Sequence, residues 1–557
     1  MVYRSPYPDL DLPQCNLLTY LFPEHKITDT PLWISAEDPS RSLSSRQMLA
    51  WIKRLGIGLD KLGVREGEVV LIFTPNHIFV PCAYLGIVGS KRIFSGGNPS
   101  YTVAEMTHQI ADTDARVILV HPDLIDTALP AATAAAQRTG KSVPQLFLFS
   151  DEYVPPIRGI YDWQTFIGTP AEADRAQIKP LTPTEAVNTV ATVNYSSGTT
   201  GLPKGVCVSH ANLIANLEQN FYTRFVGRGY TWDDFPPERW LAFLPLYHAY
   251  GQLFTNMGVQ RLQIPCYIMK VFNFERYLQH IQNYRITNLQ VAPPILVMLQ
   301  KRPETANYDI SSVTDILTGA APLPTELARE VSERFNVQIN SGWGMTEVTC
   351  GAILVPGGTV DFTGSIGHII PNTEISMRDD NGNEVPHGHR GELYVRGPQV
   401  CMRYWKNEEA TRETLLEGGW LKTGDIAIMR NGKFWIVDRK KEMIKVNALQ
   451  VAPAELEAVL LEHEAIIDSA VTGIQLHGQE WPRAYVTLAP EATGKVSEED
   501  IHKWFIKRVA KHKRLAGGIM FVDEIPKLAS GKIKRQIMRE WAKRDIPEME
   551  RKVKARL

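Results

Sequence analysis

Residues 189–205 read TVATVNYSSGTTGLPKG. The first seven are β-branched and apolar residues in the pattern of a buried strand. From Tyr195 onward the chain changes character, to the hydroxyls and glycines of Ser196, Ser197, Gly198, Thr199, Thr200 and Gly201, and then to a single cation, Lys204. Such a loop suits phosphate: glycines let backbone N–H groups close on phosphate oxygens, hydroxyls add donors, and the lysine supplies a mobile charge. It is not a Walker A loop, which requires glycine before the lysine and Ser or Thr after it, the places held here by Pro203 and Gly205. The alternative is a flexible surface turn, but six small residues and a lysine rarely follow a buried strand without a ligand.

Outward from this loop, β-rich runs alternate with helical stretches: VVLIF (69–73), RVILV (116–120), QLFLF (145–149), WLAFL (240–244) and ITNLQVA (286–292). That alternation predicts layered parallel α/β structure. AATAAAQRTG (131–140) is helix-forming and ends on glycine, as a crossover between two such strands would. From about Asn372 the texture becomes short strands and turns, with DDNGNE (379–384) and RNGK (430–433) as hairpin signals. Beyond Asp438 the chain is strongly charged, and PAELEAVLLEH (453–463), RAYVTLA (483–489) and EEDIHKWFIKRVAKH (498–512) read helix, strand, helix. The expectation is an α/β protein: a large N-terminal domain of layered α/β subdomains plus a β-rich subdomain over 1–438, and a small mobile α+β domain over 439–557.

The 557 residues are too many for one ordinary core. Lys+Arg 60 against Asp+Glu 61 argues against nucleic acid as the main partner, so local charge must carry any phosphate binding. The six cysteines form no CxxC pair, which suggests neither a disulfide framework nor a zinc site. The uncharged stretch 69–89 is long enough to span a bilayer, but Pro75, Asn76, His77 and Pro81 interrupt it, and it reads as a strand followed by a helix. The N-terminal residues do not have the pattern of a secretory signal. The final Ala555, Arg556 and Leu557 are close to the SKL peroxisomal address, which predicts a peroxisomal import receptor as a partner and a peroxisomal matrix location, otherwise a cytoplasmic one.

Further motifs follow in order: LPLYHAYG (244–251), GAAPL (319–323), GWGMTE (342–347), TGD (423–425), VDRKKEMIKVNALQVAPAELE (437–457) and PKLASGKIKR (526–535). Together with the loop at 195–205, this series resembles the adenylate-forming superfamily of acyl-CoA synthetases, 4-coumarate–CoA ligases and luciferases, over most of the chain. The resemblance implies ATP, Mg2+ and coenzyme A as reactants or cofactors.

Each motif also has a chemical reason. A carboxylate attacking the α-phosphorus of ATP needs its charge and that of the phosphate neutralised, and an in-line approach. Glu347 is the expected magnesium ligand, with Thr200 of the loop as a second; Thr346 would hydrogen-bond the α-phosphate, and Trp343 offers adenine a flat face. Asp425 can accept from ribose hydroxyls, with Arg439 as a second contact there. The resemblance adds Gly319, Ala320, Ala321 and Gly344 at the nucleotide, and makes Lys532 the lysine that bridges substrate carboxylate and α-phosphate. It puts His248 at the acyl-pocket entrance as an orienting group, since a carboxylate needs no deprotonation. Tyr250 and Gly319 would be pocket wall. Phe221, Tyr222, Tyr250 and Trp343 suggest an aromatic pocket, in which Gly251 and Gly351 would leave room if they line it; the alternative for the aromatics is core packing, the commoner fate of such residues.

The resemblance further implies a hinge at Lys441, about which the small domain turns between two half-reactions, Lys532 serving the first and Lys445 and Gln450 contacting the adenylate in the second. Asn447 and Ala448 stand where coumarate ligases carry lysine-glycine, which bears on the coenzyme A contacts. Trp343 stands where tyrosine is commoner. The expected activity is ATP-dependent activation of an aryl, arylalkanoic or medium-chain acid followed by transfer to coenzyme A. The alternative keeps the adenylation and loads a carrier-protein thiol of a peptide or polyketide synthase. A luciferase-like oxygenase leaves no motif to read, and a non-catalytic scaffold would not retain Lys532, Glu347 and Asp425 together.

Overall fold

The computed structural model describes residues 2–196, 203–446, 449–476, 479–528 and 531–554. Two α/β layers and a β-rich layer form the large part. In the first sheet the strands Ile93–Gly97, Val69–Phe73, Val117–Val120 and Gln145–Leu148 run parallel, and Val190–Ser196 joins them beside Ile93–Gly97. VVLIF is buried at all five positions, as a strand covered on both faces must be. The helix Ile125–Thr139 crosses between two of these strands and ends at Gly140, in left-handed conformation at φ 69°, its N–H bonded to Ala136 O. The helix Phe79–Gly89 follows Val69–Phe73 and is buried throughout; among the described residues no helix is long and apolar enough to cross a membrane.

The second sheet has nine strands. Its parallel centre includes Trp240–Ala242, Asn288–Val291, Asp315–Thr318 and Gln338–Gly344. The strands forecast at 240–244 and 286–292 are therefore present but shorter, as the chain leaves the sheet to build loops at its carboxyl edge.

The third sheet is antiparallel, with Glu374–Arg378, Arg390–Arg396, Trp420–Arg430 and Lys433–Arg439 in succession. Both forecast hairpin turns lie in this layer, with Gly382 at φ 83° and Asn431 and Gly432 at φ 49° and 76°. Pairing continues to Arg439, opposite Asp425; a turn carrying Lys441 then leads to the strand Ile444–Val446. The small part packs the helices Pro453–Leu461, Glu498–Phe505 and Arg535–Lys554 with a three-stranded sheet. The helix expected over 498–512 stops at Phe505, where a turn lets Val509 and Leu515 reach the core that holds Ile501 and Phe505. All six cysteines are free.

Candidate active site

The site lies where the carboxyl ends of the second sheet, the third sheet and the small domain meet, around a cleft of about 1730 Å³ lined by Ala320, Trp343, Asp425, Arg439 and Lys532 among others. Asp315–Thr318 delivers the GAAPL turn, in which Ala320 has φ 72°. A non-glycine residue in that region costs on the order of 1 kcal/mol, a strain that accumulates at functional turns. Gln338–Gly344 delivers Trp343. Gly344 has no alternative at its position: a Cβ there would lie 1.7 Å from the carbonyl oxygen of Cys350.

Asp425 is buried, and its Oδ2 accepts the indole N–H of Trp343 at 2.9 Å. Arg439 approaches the other oxygen at 3.4 Å. Burial raises the Asp425 carboxyl above its usual value, against the pull of Arg439, the Trp343 N–H and Lys532. One indole thus orients the Asp425 carboxylate while its ring lines the cleft.

Lys532 comes from the small domain and reaches the large one. Burial and the charge of Arg439 lower its ammonium below the usual lysine value, while Asp425, Glu347 and Cys350 oppose them. Its loop is seated by Gly531, whose Cβ, were there one, would fall 2.8 Å from the Cβ of Ala292. His248 caps a short helical turn and is pushed down to about 3 by burial and by Lys532, so its imidazole is neutral at physiological pH. Tyr250 donates its hydroxyl to Leu317 O at 3.0 Å and meets Phe254 edge-on.

Glu347 follows in the short turn Thr346–Val348 and is buried. Its Oε1 accepts the Tyr404 hydroxyl at 2.8 Å, and the Tyr404 ring lies beneath the Lys204 ammonium, 5.3 Å from ring centre to nitrogen. Tyr404 therefore links Glu347 to Lys204. No motif in the sequence pointed to it; Tyr404 is brought there because the strand Arg403–Tyr404 pairs with Lys204–Ser209. Among the described residues no group of three His, Cys, Asp or Glu could hold a metal. A single buried carboxylate with one oxygen fixed is instead what a Mg2+ shared with phosphates requires, so Glu347 fits that role.

Some expectations change. The positions of Gly251 and Gly351 are filled, since a Cβ would meet Pro245 O at 2.4 Å and Asn220 Oδ1 at 2.3 Å, so they are close-packing glycines and leave no pocket room. Phe221 is core, fully buried with its centroid 6.2 Å from that of Trp240, and Tyr222 packs edge-on against Tyr7. Lys445 is exposed, its backbone N–H bonded to Glu480 at 2.8 Å and its charge acting on Asp380, so it is not part of the Lys532 cluster in this arrangement. Gln450 pairs with Lys445 through its backbone. Ser196 pairs with Lys204; Ser197, Gly198, Thr199, Thr200, Gly201, Asn447, Ala448 and the terminal tripeptide lie outside the described residues.

The family model described as AMP-binding enzyme matches residues 24–405, and that for the AMP-binding enzyme C-terminal domain matches 455–532. The chain belongs to the AMP-binding enzyme family. It is 35% identical over 93% of its length to an acyl-CoA synthetase, ACTT5, of Alternaria alternata, covering 89% of that protein. It is 32% identical to the phenylacetyl-CoA ligase epaB of Aspergillus niger, covering 96% of this chain and 98% of the relative. The anthranilate CoA ligase AuaEII, solved with anthranoyl-AMP, superposes with a TM-score of 0.81 at 25% identity over 95% of this chain and 98% of that one. The chain is thus an adenylate-forming ligase, and Lys532, Asp425, Arg439 and Trp343 stand together in its cleft.

Proposed function

We propose that the enzyme joins an aryl or arylalkanoic carboxylic acid to AMP and then passes the acyl group to coenzyme A. The observation that carries this is the position of Lys532, a residue of the small domain, amid Asp425, Glu347, Arg439 and His248 of the large one. In the first half-reaction a carboxylate oxygen of the acid attacks the α-phosphorus of ATP; that P–O bond forms, the bond to the β-phosphate oxygen breaks, and pyrophosphate leaves. Lys532 supplies positive charge where carboxylate and α-phosphate converge, and Lys204, held over Tyr404, is positioned for the leaving phosphates. Asp425 and Arg439 hold the ribose, and neutral His248 orients the acid without taking a proton. Mg2+, bound through Glu347 with Thr200 as a second oxygen donor, would neutralise phosphate charge.

In the second half-reaction the thiol sulfur of coenzyme A attacks the acyl carbon, the bond to the AMP oxygen breaks, AMP leaves with that electron pair, and the thiol proton passes to solvent. The exposed Lys445, three residues beyond the end of the turn that carries Lys441, is the group that the turning domain would bring to the adenylate. The aryl preference draws on the phenylacetyl-CoA and anthranilate CoA ligases among its relatives. Import into peroxisomes through Ala555, Arg556 and Leu557 belongs to the same proposal and is tested by the location of a fluorescent fusion with and without those residues.

Purified protein with ATP, Mg2+ and a panel of benzoic, phenylacetic, cinnamic and medium-chain acids tests the chemistry, with pyrophosphate and thioester followed separately. Acid-dependent AMP and acyl-CoA with an aryl preference is the expected result. Pyrophosphate without thioester would move the acceptor to a carrier-protein thiol, and silence across the panel would refute adenylation.

A further inference from the structure

Lys301 plays no part in the chemistry above, yet its ammonium donates its hydrogen bonds to the other domain, with Glu330 of its own domain also nearby. It is the last residue of the large-domain helix Pro293–Lys301, and its Nζ donates to three backbone carbonyls of the small domain: Leu461 at 3.0 Å, His463 at 3.4 Å and Ile466 at 2.5 Å. Leu461 ends the helix Pro453–Leu461, His463 lies in the turn leaving it, and Ile466 opens the strand Ile466–Leu476. A helix C-terminus has unsatisfied carbonyls and the negative end of the macrodipole, and a cation there answers both.

The opposite end of the same helix is also capped from before the hinge. Its own N-cap is Ala452, which has no side-chain acceptor, and the Ala454 N–H donates instead to Asp438 Oδ2 at 3.2 Å. Asp438 belongs to the strand Lys433–Arg439 of the third sheet, three residues before Lys441. Both polar ends of one small-domain helix are therefore satisfied by side chains that do not move with it.

The large-domain helix touches the small domain at its own start as well. Ala292, its N-cap, is where Gly531 packs, and Gly531 precedes Lys532. Nine residues of helix separate that contact from Lys301 by about 13 Å. Two contacts that far apart on one rigid rod fix a direction, which a single contact cannot.

We propose that Lys301 is a positioning residue for the first half-reaction: it clamps the helix Pro453–Leu461, with Asp438 at the other end, and so holds the small domain in the orientation that inserts Lys532 into the cleft. The proposal rests on the adenylation reading above. Turning about Lys441 for thioester formation must break the Lys301 contacts, so the clamp acts on one half-reaction and not on the other.

The test is Lys301→Met, which keeps an unbranched stem one atom shorter and removes the donor. Acid-dependent pyrophosphate release should fall about tenfold while thioester formation from supplied acyl-adenylate and coenzyme A stays within about twofold, since charge-assisted hydrogen bonds are lost only from the docked arrangement. Trypsin should also cut the 440–445 segment faster in the variant. Equal losses in both half-reactions, or no loss in either, would overturn the clamp. Were wild-type protein to release no pyrophosphate with any acid, the adenylation reading would fail by itself, and the tryptic rate would still decide whether Lys301 holds the domain.

Discussion

Replacing Tyr404 by Phe removes one oxygen and leaves the ring. The hydroxyl is a 2.8 Å donor to the buried carboxylate of Glu347, and a hydrogen bond to a charged group carries roughly 1.5–3 kcal/mol. Without it the carboxylate loses its fixed orientation and one of its solvating partners. The apparent Mg2+ requirement for pyrophosphate release should rise about tenfold, which corresponds to about 1.4 kcal/mol, the lower end of that range. The ring contact with Lys204 survives in Phe but not in Leu. Tyr404→Leu should therefore add a further loss of about 0.5–1 kcal/mol, seen as a higher KM for ATP. The assay is initial-rate pyrophosphate release over a Mg2+ titration at fixed ATP. A Tyr404→Phe enzyme with an unchanged Mg2+ profile would refute the claim that this hydroxyl positions Glu347.

Three further outcomes are expected. Lys532→Ala should lower the first half-reaction by about 10²–10³ while leaving thioester formation from supplied adenylate intact, and Lys445→Ala should do the reverse; equal effects on both halves in either variant would contradict the division of labour. Gly344→Ala places a Cβ 1.7 Å from a backbone oxygen and should destabilise the large domain by about 1–3 kcal/mol in a thermal melt, an outcome that a wild-type melting curve would exclude. Asp438 stands against Arg535 and Glu442, with Glu457 on the far side of that arginine, and burial pushes it up from 3.8 to about 7. The folded state therefore holds an extra proton between those values; the stabilisation is complete below 3.8 and fades as pH rises through 7. Asp438→Asn should flatten the stability profile between pH 3.8 and 7, by about 1.4 kcal/mol for each pK unit of the shift that is expressed; parallel profiles for variant and wild type would exclude this.

Much of the site was legible because its groups are carried on short local motifs. Trp343, Asp425 and Arg439 sit on strands and Glu347 and Lys532 on turns, each within a motif whose neighbours mark it, and the chemistry of adenylation demands those residue types. Tyr404 was not legible, because its partners Glu347 and Lys204 lie 57 and 200 positions away and only strand pairing brings them to it. Gly251 and Gly351 misled for the same reason: a glycine reads as space until the atom that fills the space is known, here Pro245 O and Asn220 Oδ1.

The sequence by itself determined the layered α/β class, the hairpin turns at Gly382 and Gly432, the ordered nucleotide motifs and the family, since periodicity, turn chemistry and phosphate chemistry are local properties of the chain. Only the tertiary structure decided which aromatics are core and which line the cleft, that Trp343 orients Asp425, and that Lys532 rather than Lys445 occupies the site. Those outcomes depend on distances between residues tens to hundreds of positions apart, and above all on how the small domain is docked, which the carbonyls that accept from Lys301 record and no local pattern can.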